Sequence, residues 1–166
     1  KKKKDEYVSN EVILFAPGAS LYNEKHCMQE NYPIILAAKN GHLNIIRELF
    51  SININCLFNK SYFEETALII ATKNRYIEIV DFIIKICCED NTFSRIDFIN
   101  IRDRINRTAL HWACINGFPK IAELLCFNRG DLDIQDNQHK TPLMYAYEYG
   151  NYEVLWILKK KMDSIN

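Results

Sequence analysis

Apolar residues recur along the chain on a helical period, in short paired segments. In "ALHWACIN" Leu110 and Ala113 lie three apart on one face, and in the segment that follows Ile121, Leu124 and Leu125 do the same. "PLMYAYEY" with Val154, Ile157 and Leu158 repeats the arrangement, as do "ALIIATKN" and "PIILAAKN" upstream. The pattern predicts four helix pairs, at 33–40 and 43–51, 67–74 and 77–87, 109–116 and 119–127, and 142–149 and 152–161. Thr before Pro or Ala predicts where the first helices start. At Thr141–Pro142 a side-chain cap precedes a residue that needs no amide partner. Gly117 and Gly150 predict where first helices end, since a left-handed residue usually closes a helix. Arg75 stands in that position in the second pair, so its turn is expected to be strained or remodelled.

The pairs are copies of one another. Thr108, Leu110, Ala113, Gly117 and Leu125 fall 33 residues before Thr141, Leu143, Ala146, Gly150 and Leu158. Thr66, Leu68, Ala71 and Ile83 take the same places, as do Pro33, Ile34, Ala37, Gly41 and Leu49. A spacer near "EDNTFSRIDF" separates the second copy from the third and is expected to be a long loop. Two short helices cannot bury their apolar faces alone, whereas stacked copies can. Isoleucine far outnumbers alanine, so these helices depend on packing more than on propensity.

In register, these residues resemble the ankyrin repeat, whose pattern runs D-x-x-G-x-T-P-L-H-x-A-A-x-x-G-H, then V-x-x-L-L and G-A-D-V-N. Asp103 and Asp136 open the last two copies, and Ser61 and Glu64 replace the usual Asp and Gly in the second. The resemblance implies an all-α solenoid of stacked helix-turn-helix units joined by hairpin loops. It divides the chain into repeats at 27–60, 61–102, 103–135 and 136–166. "EVILFAPGASLYNE" resembles the second half of a preceding repeat, making residues 1–26 a leading half repeat or cap.

Repetition also decides the crowded stretch 107–126, where a Trp, a His and two Cys suggest chemistry. His111 shares its place with Ile35, Ile69 and Met144, which a ligand or general base would not, and the resemblance gives it a structural role at the helix start and adjoining hairpin. Trp112 shares its place with Leu36, Ile70 and Tyr145 and is expected in the core. Cys114 and Cys126 read as small buried hydrophobes. None of the six cysteines forms a C-x-x-C pair, and no phosphate-cradling or nucleophile motif occurs. No catalytic residue, metal, cofactor, nucleic acid or small-molecule substrate is therefore expected. Tyr145, Tyr149, Tyr152 and Trp156 follow a helical stripe, which predicts packing rather than an aromatic cage. Tyr147 is too large to be overlaid closely, which suggests that the array ends there.

Charge and composition narrow the class further. Lys plus Arg equals Asp plus Glu at 21 each, hydrophobic residues make up 48%, and no apolar run is long enough to span a membrane. A cytoplasmic protein with reduced thiols is expected. The absence of an initial Met suggests a piece of a larger protein.

Function is then expected at a surface. The resemblance implies that first helices and hairpin tips line a concave face that holds a protein partner. Place by place, the candidate contacts on the tips are Tyr62, Phe63, Glu65, Arg104, Ile105, Arg107 and Lys140. Those at the first-helix ends are Lys73, Ile115, Asn116, Glu148 and Tyr149. Tyr62, Phe63, Ile105, Ile115 and Tyr149 are apolar or aromatic where water contact is expected, the signature of interface anchors. The alternative reading is a regulatory or targeting domain of a larger enzyme, such as an acyltransferase or kinase, or of an ion channel.

Overall fold

The computed structural model describes residues 32–89 and 98–164. The expected leading half repeat at 1–26 and most of the expected 89–98 loop lie outside the described residues. Among the described residues, four helix pairs stand out: α1 (Pro33–Asn40) with α2 (Leu43–Ile52), α3 (Ala67–Lys73) with α4 (Ile77–Glu89), α5 (Ala109–Asn116) with α6 (Pro119–Phe127), and α7 (Pro142–Glu148) with α8 (Tyr152–Asp163). A short 3-10 helix, Ile54–Phe58, follows α2, and the described residues contain no strand. The predicted helices are all present, with α2, α4 and α8 slightly longer and α3 and α7 one residue shorter.

The starts of the first helices follow from their caps. Thr66, Thr108 and Thr141 are extended, and each hydroxyl accepts the amide three residues on, from Ile69, His111 and Met144. Pro142 occupies the first turn of α7, where its missing amide is harmless. The ends of these helices are set by left-handed residues: Gly41 at φ 75°, Gly117 at 66° and Gly150 at 68°. Arg75 keeps that geometry at φ 61°, so its turn is strained rather than remodelled. Its guanidinium lies 5.5 Å from the centroid of the Phe118 ring, a contact from the next pair that offsets part of the strain.

The pairs stack into a solenoid. First helices pack in the order α1, α3, α5, α7, and second helices alongside them as α2, α4, α6, α8. Small residues permit the close approach: Ala37, Ala71, Ala113 and Ala146 are all essentially buried. Ile46, Ile83, Leu125 and Leu158 fill the space beneath them from the second helices. The left-handed turns at Gly41 and Gly117 are also covered by the pair that follows. A methyl group at Gly41 would come within 2.8 Å of the Tyr76 ring, and one at Gly117 within 2.6 Å of Asn151 Oδ1. The Asn151 amide donates to Cys114 O at 2.7 Å and Ile115 O at 3.2 Å, joining the last pair to the end of α5.

Two packing expectations fail. Tyr145 is buried, but Tyr149, Tyr152 and Trp156 are 58%, 75% and 61% exposed. The turn after α7 puts them beyond the helix that carries Tyr145, so a single helical period does not relate the four rings. Trp112 is half-buried rather than core, because its indole lies along the hairpin side of the stack.

Candidate functional site

Three loops project from the starts of α3, α5 and α7, and all are built alike. Asp103 Oδ1 accepts the amides of Ile105 (3.0 Å) and Arg107 (2.9 Å), and Asp136 Oδ1 those of Gln138 (2.8 Å) and Lys140 (3.1 Å). In the second repeat Ser61 Oγ does the same for Phe63 and Glu65, at 3.2 and 3.3 Å. A serine thus replaces the aspartate without altering the turn, in which a short polar side chain imitates a backbone acceptor. The place where the family pattern carries Gly holds Glu64, Asn106 and His139, all left-handed at φ 60°, 62° and 58°. Adjacent loops are tied by backbone hydrogen bonds, Arg104 N–H to Phe63 O at 2.9 Å and Asn137 N–H to Ile105 O at 3.1 Å. The tips therefore form one continuous edge.

A ladder of rings and cations runs behind that edge. Trp112 Nε1 donates to Asp103 Oδ2 (2.9 Å), and the Tyr145 hydroxyl donates to Asp136 Oδ2 (2.6 Å). Arg107 bridges the two repeats: its Nε donates to Asp136 Oδ2 at 2.9 Å, and its guanidinium lies 5.2 Å from the Trp112 centroid and 4.8 Å from that of Tyr145. Lys73 joins the ladder at 4.3 Å from the Trp112 centroid. Burial pushes the Asp136 carboxyl up, but hydrogen bonds from Tyr145, Arg107 and the Lys140 and Gln138 amides outweigh it and hold it at about 2.

His111 is fully buried and locks two repeats together. Its Nδ1 accepts the Thr108 amide at 3.2 Å, and its Nε2 lies 3.1 Å from the Lys140 carbonyl, which fixes the proton on Nε2. Burial lowers its pKa below the ordinary 6.5, so the ring is neutral. The ring thus links the start of α5 to the loop of the next repeat. Cys56, Cys114 and Cys126 carry free thiols. Burial raises all three pKa values, that of Cys126 to about 11, which favours the protonated thiols. No group of three His, Cys, Asp or Glu side chains among the described residues is placed to hold a metal ion.

The structure separates the candidate contacts into two sets. Tyr62, Phe63, Ile105 and Tyr149 are exposed by 47%, 53%, 40% and 58%, and Arg104 and Asn116 are exposed too. Tyr62 and Phe63 pack edge to face at 5.4 Å, and Arg104 lies 4.7 Å from the Tyr62 centroid, so three of these groups meet in one patch. Tyr149 stands apart at the end of α7, against Tyr145. Glu65 and Arg107 turn inward: Glu65 is buried and paired with Lys73, and Arg107 is paired with Asp136. Ile115 is half-buried, and Lys140 is paired with Glu148 at the rim. Between α1, α3 and the loop 61–66 opens a cleft of about 240 Å³, floored by Ile35 and Ile70 and edged by Phe63, Lys39, Lys73 and Glu65.

The ring-to-carboxylate bonds were missed by sequence reasoning. Their signal was present: an aromatic residue nine positions after the loop aspartate, at Asp103–Trp112 and again at Asp136–Tyr145.

Comparison with known proteins agrees with this architecture. A family profile described as ankyrin repeats matches residues 9–94 and 86–166. The probable 26S proteasome regulatory subunit p28 of Saccharomyces cerevisiae is 28% identical over 131 residues, 78% of this chain and 54% of that protein. The mouse serine/threonine-protein kinase TNNI3K is 28% identical over 138 residues, 76% of this chain and 16% of the kinase. The chain thus spans about half the length of one of these relatives and a small part of the other. In the crystal structure of the yeast ribosomal protein Rps3 in complex with its chaperone Yar1, one chain superposes with a TM-score of 0.72 at 30% identity. The match covers 80% of this chain and 93% of that one.

Proposed function

The chain belongs to the ankyrin repeat family, and from that premise we propose that it is a non-enzymatic protein-interaction module that holds a protein partner on the side formed by its first helices and loop tips. One observation carries the reading. Tyr62, Phe63, Arg104 and Ile105 stand exposed on adjacent loops that backbone hydrogen bonds hold rigid. Such side chains dominate binding energy at interfaces, and a pre-ordered edge loses little entropy on binding. Lys73, Ile115, Asn116, Glu148 and Tyr149 extend the surface along the first-helix ends and Lys140 extends it at the last tip, while Glu65 and Arg107 shape it from beneath. The Rps3–Yar1 complex, in which a chaperone engages a ribosomal protein, and the proteasome subunit p28 favour a binding role. The electroneutral sequence and free thiols fit a protein partner in the cytoplasm rather than a polyanion.

A second reading keeps the same surface but makes the chain the regulatory portion of a larger enzyme. The match to the mouse kinase, of which the chain spans only 16%, favours it. Sequencing the complete reading frame separates the two. The surface itself is tested by pull-down from cell extract. Tyr62→Ala and Tyr149→Ala should weaken capture by about 1–3 kcal/mol, with Glu78→Ala, Asp81→Ala and Glu123→Ala on the second helices silent. Loss of capture on the second-helix variants alone would place the interface on the other side of the stack.

A further inference from the structure

We infer that the cleft between α1, α3 and the loop 61–66 receives one apolar side chain of an acidic peptide segment, whose neighbouring carboxylate pairs with Lys39. The inference deepens the proposed partner-binding role and rests on it. At about 240 Å³ the cleft is smaller than the ~300–1,000 Å³ typical of small-molecule sites. It would hold on the order of eight waters at ~30 Å³ each, the space of one large side chain rather than of a cofactor. Its floor is apolar, Ile35 and Ile70 from two successive first helices, and its wall is Phe63, 53% exposed in the absence of a partner.

Charge selects the neighbour of that side chain. Lys39, Lys73 and Glu65 edge the cleft, and Lys73 is committed to Glu65 and to the face of Trp112. Lys39 is exposed and has no ion-pair partner among the described residues, so within them the cleft keeps one uncompensated positive charge. A bound chain without an anion would desolvate that ammonium with nothing in return, whereas an Asp or Glu beside the apolar anchor restores its partner. A nucleic acid is disfavoured, because phosphate recognition needs several free cations and, among the described residues, this rim offers Lys39 alone.

The test is selection of short random peptides displayed on phage against the purified chain, followed by fluorescence anisotropy with the recovered peptides. Recovered sequences should carry Leu, Ile or an aromatic residue within two positions of Asp or Glu. Lys39→Glu and Phe63→Ala should each weaken binding about tenfold, and Glu123→Lys on α6 should not. Both altered side chains are exposed, so helicity by circular dichroism should be unchanged. Recovery of no peptide, of peptides without acidic residues, or of peptides indifferent to both substitutions overturns the inference. If affinity falls only with Arg104→Ala or Tyr149→Ala, the first-helix side still binds and the cleft alone is wrong. If it falls only with Glu123→Lys, both readings fail.

Discussion

His111→Ala should destabilise the stack far more than its single slot suggests. The imidazole accepts the Thr108 amide and donates to the Lys140 carbonyl 29 residues away, so truncation removes a cap and an inter-repeat bond together. Two lost hydrogen bonds at about 1 kcal/mol each, plus the burial of an orphaned Thr108 amide, give a loss of about 3 kcal/mol. At roughly 2–4 °C per kcal/mol for a chain of this size, the melting temperature should fall by about 6–12 °C. The sign of the pH effect follows from burial. The unfolded ring takes up its proton near 6.5 and the folded ring only at lower pH, so this contribution is present above 6.5 and fades as the pH falls through the folded value. The wild type–variant gap, read from urea unfolding followed by circular dichroism, should therefore be widest at pH 8. Below 6.5 it should narrow by at most about 1.4 kcal/mol per pH unit. Met144→Ala, at the same slot but 51% exposed, is the control and should be nearly silent. A gap under about 0.5 kcal/mol at pH 8, or one that widens in acid, would refute the bridging role.

Two further substitutions probe the joints between repeats. Asp136→Ala strands Arg107, whose side chain is only 16% exposed, and should cost about 3–5 kcal/mol in urea titrations. Because Asp136 is held at about 2, below its usual 3.8, its pH-linked contribution is complete above 3.8 and disappears as the pH falls through 2, a dependence the variant should lack. Gly117→Ala places a methyl group 2.6 Å from Asn151 Oδ1 in a left-handed turn and should lower stability by about 2–3 kcal/mol. Gly150→Ala meets nothing nearer than 4.0 Å and should lose only the strain of about 1–2 kcal/mol in parallel thermal melts.

The sequence revealed most of what is local or repeated. Thr66, Thr108 and Thr141 marked helix starts because a cap involves only three residues, and the recurring Leu, Ala and Gly places exposed the stack because each repeat copies its neighbour. The ladder was less legible. Trp112 and Tyr145 look like core residues in a one-dimensional pattern, and only the loop folding back nine residues shows that each bonds an aspartate. Glu65 and Arg107 looked like solvent-facing tips for the same reason, since their partners lie on other helices or in the next repeat. Tyr149, Tyr152 and Trp156 were misread as packing because a turn interrupts the helical period that seemed to align them.

The central claim, that a partner sits on the first-helix and loop side, is tested most directly by hydrogen–deuterium exchange of the chain alone and with a captured partner. Binding should slow exchange at the loops 61–66, 103–108 and 136–141 and at the C-terminal ends of α3, α5 and α7, with α4, α6 and α8 unchanged. Protection confined to the second helices, with the loops exchanging as in the free chain, would contradict it.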